Sequence, residues 1–183
     1  LASFILLVMS ACTSNGTLDT GNLEVEQEDI NTTYVPVEKE IAEEAIPFEM
    51  EYPSYFPFRN EETKVFITGW KNSKERVVAS IRYPSVEEDD KWQEGSIVQP
   101  AIPNVNYTVA NFDRYYSKYS DLNEYKEIEI KNGITGLFKI NEEMNGAELH
   151  WFKDKREYNL SLMYFSEDVE ELKTELVKIA DSI

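Results

Sequence analysis

The chain has one cysteine, Cys12, and one histidine, His150. A single thiol excludes an internal disulfide, and one imidazole with no second Cys or His to share a metal excludes the usual zinc ligand sets. No Gly-x-Ser-x-Gly elbow, Walker loop, dinucleotide fingerprint or zinc-protease helix occurs, so the commonest hydrolase, NTPase and dehydrogenase chemistries have no foothold. Positive charge is scarce as well. Lys and Arg total 18 against 35 Asp and Glu, a formal net charge of −17, and the first cation is Lys39. Nucleic acid and anionic lipid head groups are poor partners for such a balance.

What is there begins with residues 1–11, Leu-Ala-Ser-Phe-Ile-Leu-Leu-Val-Met-Ser-Ala, an uncharged apolar run that ends at Cys12. It is too short to span a bilayer as a helix, and an apolar run closing in small residues marks an export signal. Ser10-Ala11 before Cys12 resembles the lipobox of bacterial lipoproteins, with Met9 where that motif usually has Leu. The resemblance implies a diacylglyceryl group on the Cys12 sulfur and cleavage just before it. The absence of a basic n-region ahead of Leu1 is what a signal segment clipped at its start would give. Two acyl chains anchor stably where one holds only marginally, each buried CH₂ being worth about 0.8 kcal/mol. The chain is therefore expected on the outer face of a bacterial cell membrane, with residues 1–11 as signal peptide.

Residues 12–46 are the lipidated cysteine and a tether. From 13 to 47 there are nine acids against Lys39, a net of −8, and Tyr34 is the lone aromatic. Such a composition buries too little apolar surface to offset ordering entropy, so disorder is expected. As a flexible coil these residues would hold a domain roughly 30–35 Å from the membrane.

Residues 47–183 are long enough for one domain with a sizeable core. Strands are expected at 64–70 and 76–83, joined by a loop at 71–75, and a short one at 92–98. Phe112, Tyr115, Tyr116 and Tyr119 fall at i, i+3, i+4 and i+7, which predicts a helix over 111–119. Residues 125–130, 134–140, 148–152 and 157–164 alternate, and Asn132-Gly133 and Asn145-Gly146 are hairpin signals between them. The last element is an amphipathic helix capped by Asp168 with Glu171 completing a capping box, its stripe formed by Val169, Leu172, Leu176, Ile179 and Ile183. The expected fold is α+β, an antiparallel β-meander sheet packed against a C-terminal amphipathic helix.

Three stretches, Tyr52-Pro-Ser-Tyr-Phe-Pro, Leu149-His-Trp-Phe-Lys-Asp-Lys-Arg-Glu-Tyr158 and Leu176-Val-Lys-Ile-Ala-Asp-Ser-Ile183, resemble one family. It is a small β-rich domain of unknown function, found at the C-termini of Gram-positive lipoproteins and of membrane-anchored proteins of anti-sigma type. The resemblance implies a β-rich fold and an extracytoplasmic location, and it brings no catalytic residues.

No catalytic residue, metal ligand or cofactor is expected. His150, between Leu149 and Trp151, alternates to the opposite face and reads as a surface residue. The acidic run 87–90 lacks the ligand spacing and glycine of a calcium loop. Aromatic crowding is the one functional signal: Trp70, Trp92, Tyr115 and Tyr119 are candidate ligand-binding residues for a concave sheet face, although half-buried aromatics are ordinary strand residues and a plain sheet-on-helix core is the favoured reading. The expected function is a non-enzymatic, membrane-anchored binding or accessory module for a protein, wall polymer or apolar ligand. The alternatives are a carrier of an apolar or lipid ligand and, further off, a hydrolase using an acidic pair.

Overall fold

A computed structural model describes residues 16–61, 63–86 and 102–183. Nine antiparallel strands form one sheet: β1 (Val25–Glu28), β2 (Thr32–Tyr34), β3 (Phe66–Gly69), β4 (Val77–Pro84), β5 (Asn104–Ala110), β6 (Lys126–Ile130), β7 (Ile134–Asn141), β8 (Gly146–Lys153) and β9 (Arg156–Met163). Three helices accompany it, α1 (Lys39–Ala45), α2 (Tyr116–Tyr119) and α3 (Val169–Asp181). The fold is α+β with a C-terminal helix against the sheet.

The strand order is β1-β2-β3-β4-β5-β9-β8-β7-β6. Sequential neighbours pair within β1–β5 and within β6–β9, so there are two meanders rather than one. After β5 the chain crosses to the far edge and returns, and β9 closes the sheet against β5. The expected single meander fails at that one connection, because turn chemistry specifies a hairpin locally but not which older edge a returning strand will meet.

Alternation decides the two faces. The pairings Ile81↔Tyr107, Tyr107↔Leu160, Leu160↔Leu149 and Leu149↔Phe138 carry one apolar row across five strands. All five residues are buried, as are Leu172, Leu176 and Ile179 of α3, which lies over β8, β9 and β6. Asp168 accepts from the amides of Glu170 and Glu171. The return half of the capping box runs through Ser166, which donates to Glu171 at 2.5 Å and accepts from the Asp168 amide at 3.0 Å. Val169, expected in the buried stripe, is 45% exposed, being in the first turn where α3 has not yet reached the sheet. The proline-rich segment docks on the other end of α3, where Ser182 Oγ accepts from the Ser54 and Tyr55 amides. At Asn132-Gly133 both residues adopt positive φ, 63° and 71°, as a primed hairpin turn demands. Gly146 is fixed by close approach: a Cβ there would stand 2.3 Å from the Leu162 carbonyl oxygen.

The disordered tether is corrected. Residues 17–46 form β1, β2 and α1, and β2 pairs with β3 through Thr32↔Gly69 and Thr33↔Thr68. Leu18, Tyr34, Ala42, Ala45 and Ile46 are buried in the same core as the rest of the chain. All four β1 side chains face solvent, so that strand is held by backbone pairing, which requires no apolar composition. The folded unit thus begins near Leu18 rather than at 47. The expected strand at 92–98, the acidic run 87–90 and Cys12 lie outside the described residues.

Candidate functional site

The second face of the sheet is polar. Two rungs cross it: Arg82, Asn106, Ser161, Glu148 and Lys139, and beside them Ser80, Thr108, Asn159 and His150, ending on the buried Leu137. Outward-facing strand residues are usually long charged side chains, yet the centre here is built of amides, hydroxyls and one imidazole. Those groups are shielded. Asn104, His150 and Ser161 are buried, and Asn106, Thr108 and Asn159 are half-buried.

His150, expected at the surface, is only 3% exposed. The alternation does point it to the opposite face, but that face is not open water at this point. The ring meets Tyr119 and Tyr125 edge-on, with centroids 4.9 and 5.7 Å away. Its Nε2 lies 3.4 Å from Glu148 Oε2 and 3.0 Å from the Asn159 amide. A proton on Nε2 serves the carboxylate. A half-turn of the Asn159 amide then brings its oxygen, instead of its nitrogen, to the ring. Tyr125 donates its hydroxyl proton to Glu148 Oε1 at 2.7 Å.

These contacts decide the chemistry of Glu148. Burial pushes its carboxyl up, but the hydrogen bonds from His150 and Tyr125 and the nearby Lys139 ammonium outweigh it, and the net shift is downward. Glu148 is thus held as an acceptor and has no proton to donate at neutral pH. The Tyr125 phenol is pushed well above its ordinary value, first by burial and then by the bond to Glu148. Burial also raises the Tyr119 phenol.

Beside this network runs an aromatic ladder. Trp70 meets Tyr115 edge-on at 5.9 Å, Tyr115 stacks on Tyr119 at 5.4 Å, and Tyr119 stacks on Tyr125 at 4.7 Å. A cation closes each end: the Arg114 guanidinium 5.9 Å from the Trp70 ring centroid and 4.9 Å from that of Tyr115, and Lys139 Nζ 5.2 Å from that of Tyr125. Three of the four expected ligand-binding aromatics, Trp70, Tyr115 and Tyr119, are therefore neighbours, though they come from different parts of the chain. Trp92 lies outside the described residues.

The ladder is positioned by a buried carboxylate rather than by the helix expected over 111–119. Glu157, at the start of β9, is 2% exposed, and its Oε2 accepts the amides of Arg114, Tyr115 and Tyr116 at 2.6, 2.6 and 3.0 Å. Its Oε1 stands 3.5 Å from Arg114 Nε. Gathering three successive amides on one oxygen turns the chain, so helical geometry survives only in the single turn of α2. Tyr116 leaves the row and stacks on Phe152 instead.

Sequence reasoning reads His150 as a surface residue and gives no role to Glu148, Asn159 or Glu157. One signal was available: the outward positions of β5 and β9 read Asn104, Asn106, Thr108, Asn159 and Ser161, neutral groups where a freely solvated face would carry charge. Among the described residues no His, Cys, Asp and Glu cluster suits a metal ion, and no helix is long and apolar enough to cross a membrane. Family models, curated proteins and solved structures were compared with the chain, and none matches.

Proposed function

We propose that this chain is a non-enzymatic lipoprotein of the Gram-positive type, anchored through lipid on Cys12 to the outer face of the cell membrane, and that its polar face binds a wall glycan. The observation that carries the binding reading is the half-buried set of neutral hydrogen-bonding groups, Asn106, Thr108 and Asn159, laid beside the tyrosine ladder. Sugar hydroxyls are matched by amides and hydroxyls that both donate and accept, and aromatic edges contribute apolar contact without charge. Most of the apolar core lies on the opposite face, and of the strand residues around these groups Val78, Ala110 and Leu137 are the buried apolar ones.

Two rival readings lose ground. An apolar carrier needs an empty hydrophobic groove, whereas Leu172, Leu176, Ile179, Met50 and Phe58 fill the space over the apolar face. A carboxylate hydrolase needs an acid with a raised pKa, and Glu148 is shifted the other way.

Co-sedimentation with purified cell-wall sacculi tests the proposal. Asn106→Ala and Tyr119→Ala should weaken binding of the soluble chain by roughly fivefold to tenfold, the loss of about 1–1.5 kcal/mol expected for one hydrogen bond or one aromatic contact. Unchanged binding by both variants, or no sedimentation of the parent protein, would refute the glycan reading.

A further inference from the structure

Leu18, buried in the core, stands only six residues after Cys12. Six residues reach at most about 20 Å. A domain so tied cannot stand clear of the membrane; one particular end must face it. The Leu18 amide donates to the Lys74 carbonyl oxygen at 2.7 Å, and Lys74 Nζ donates to Thr20 Oγ1 at 3.0 Å. The chain therefore enters beside the turn between β3 and β4.

The same end of the sheet carries the turn between β8 and β9, because Val78↔Ala110, Ala110↔Glu157 and Glu157↔Phe152 lie on one rung. It also carries the turn between β1 and β2. There Asn31 Oδ1 accepts from the Lys71 amide and Asn72 Nδ2 donates to the Asp29 carbonyl oxygen, both at 2.8 Å. Ile30 is held between them at 77% exposure, an isolated apolar tip. Five exposed cations gather here, Lys71, Lys74, Arg76, Lys153 and Lys155. Asp19, Glu28, Asp29, Glu75, Asp113 and Asp154 stand among them, and at the neighbouring turn between β6 and β7 Asp181 accepts from the Lys131 amide, so cations and acids alternate over this end and it carries only a small share of the −17. An anionic surface repels every other side of the molecule more strongly.

We propose that this end is a membrane-docking surface, seated on the anionic head groups of the bilayer that holds the Cys12 lipid, with Ile30 dipping into the interface. The inference rests on the lipid-anchor reading above. Net charge argues against anionic lipid as a partner, but docking depends on the charge of the facing end, which the tether length selects.

The test replaces the lipid by a chelated tag. The chain from residue 12 on, with Cys12→Ser and a histidine tag ahead of it, is bound to vesicles of phosphatidylglycerol, phosphatidylcholine and a nickel-chelating lipid. An environment-sensitive fluorophore is placed on Ile30→Cys or, at the opposite end of the sheet, on Glu143→Cys, and nitroxide lipids quench it. Strong quenching at position 30 and little at 143 is expected, lost when phosphatidylglycerol is omitted. Each cation near such a surface is worth about fivefold in occupancy. Lys71→Ala, Lys74→Ala and Arg76→Ala together should therefore lower the ratio of docked to undocked protein on the order of a hundredfold. Equal quenching at both positions, or quenching at 30 indifferent to the triple change, overturns the docking surface whatever holds the protein in the cell. Absence of palmitate from the full chain is a separate failure: it removes the anchor, and with it docking in the cell, even where the tagged protein orients on vesicles.

Discussion

Glu157→Ala tests how much of the candidate site hangs on one carboxylate. In the native protein that group accepts three main-chain amides at 2.6–3.0 Å and faces Arg114 Nε at 3.5 Å, while only 2% exposed. The substitution leaves the amides of Arg114, Tyr115 and Tyr116 without their acceptor. A buried donor left unpaired costs about 1–3 kcal/mol. Three would set an upper range of about 3–9 kcal/mol, but the loop can open and let water reach them, which brings the expectation to about 3–5 kcal/mol. That is a large share of the roughly 5–15 kcal/mol that keeps a domain folded. Glu157→Gln retains one acceptor oxygen but turns an NH₂ toward the Arg114 guanidinium, so about 1–2 kcal/mol is expected. Urea unfolding followed by tryptophan fluorescence measures both, with the slope unchanged if the unfolding remains two-state. Trp70 also reports the site itself, because its edge-on contact with Tyr115 depends on this loop. The near-ultraviolet dichroism of the aromatic ladder should therefore collapse in Glu157→Ala under conditions where the sheet persists. A loss below about 1 kcal/mol, or an intact aromatic signal, would mean that the loop holds itself and that Glu157 does not position it.

Leu176→Ala, in the wholly buried stripe of α3, should cost about 2–5 kcal/mol in the same assay, while Thr174→Ala on the exposed side stays within about 0.5 kcal/mol; equal small shifts would undo the packed-helix model. Limited proteolysis should spare residues 17–46, and hydrogen exchange should show protection at Val37, whose amide donates to the Val65 carbonyl oxygen at 3.0 Å; rapid release of a fragment starting near 47 would restore the tether. Glu148 has a folded pKa below its ordinary value of 4.5, so its contribution to stability is present above that pH and is lost as the pH falls through the lower folded value. Glu148→Gln should flatten this part of the acid limb of the urea midpoint, and an unchanged limb would place the acid sensitivity elsewhere. Cys12→Ala should abolish palmitate labelling and leave the protein in the medium or as an uncleaved precursor; continued processing and membrane retention would refute lipidation at Cys12.

The sequence by itself determined the elements whose signals are local. Asn132-Gly133 specified a primed turn because those residues tolerate positive φ, and Asp168 specified the start of α3 because its carboxylate reaches the first free amides. Alternation assigned Tyr158, Leu160 and Leu162 to a single face without knowledge of any partner strand. It also grouped Trp70, Tyr115 and Tyr119 as candidates by residue type alone. Tertiary structure decided what depends on distant partners. The closure of β9 on β5 has no local signature, since every antiparallel edge offers the same amides and carbonyls. The N-terminal residues escaped composition-based reading because β1 is held by main-chain bonds and needs almost no apolar surface of its own. His150 was placed on the right face, but its burial came from Tyr119 and Tyr125, 31 and 25 positions away in the chain. Glu157 read as one acid among 35; only folding brought three amides within reach of one oxygen, and that convergence fixed the path of the loop that carries the ladder.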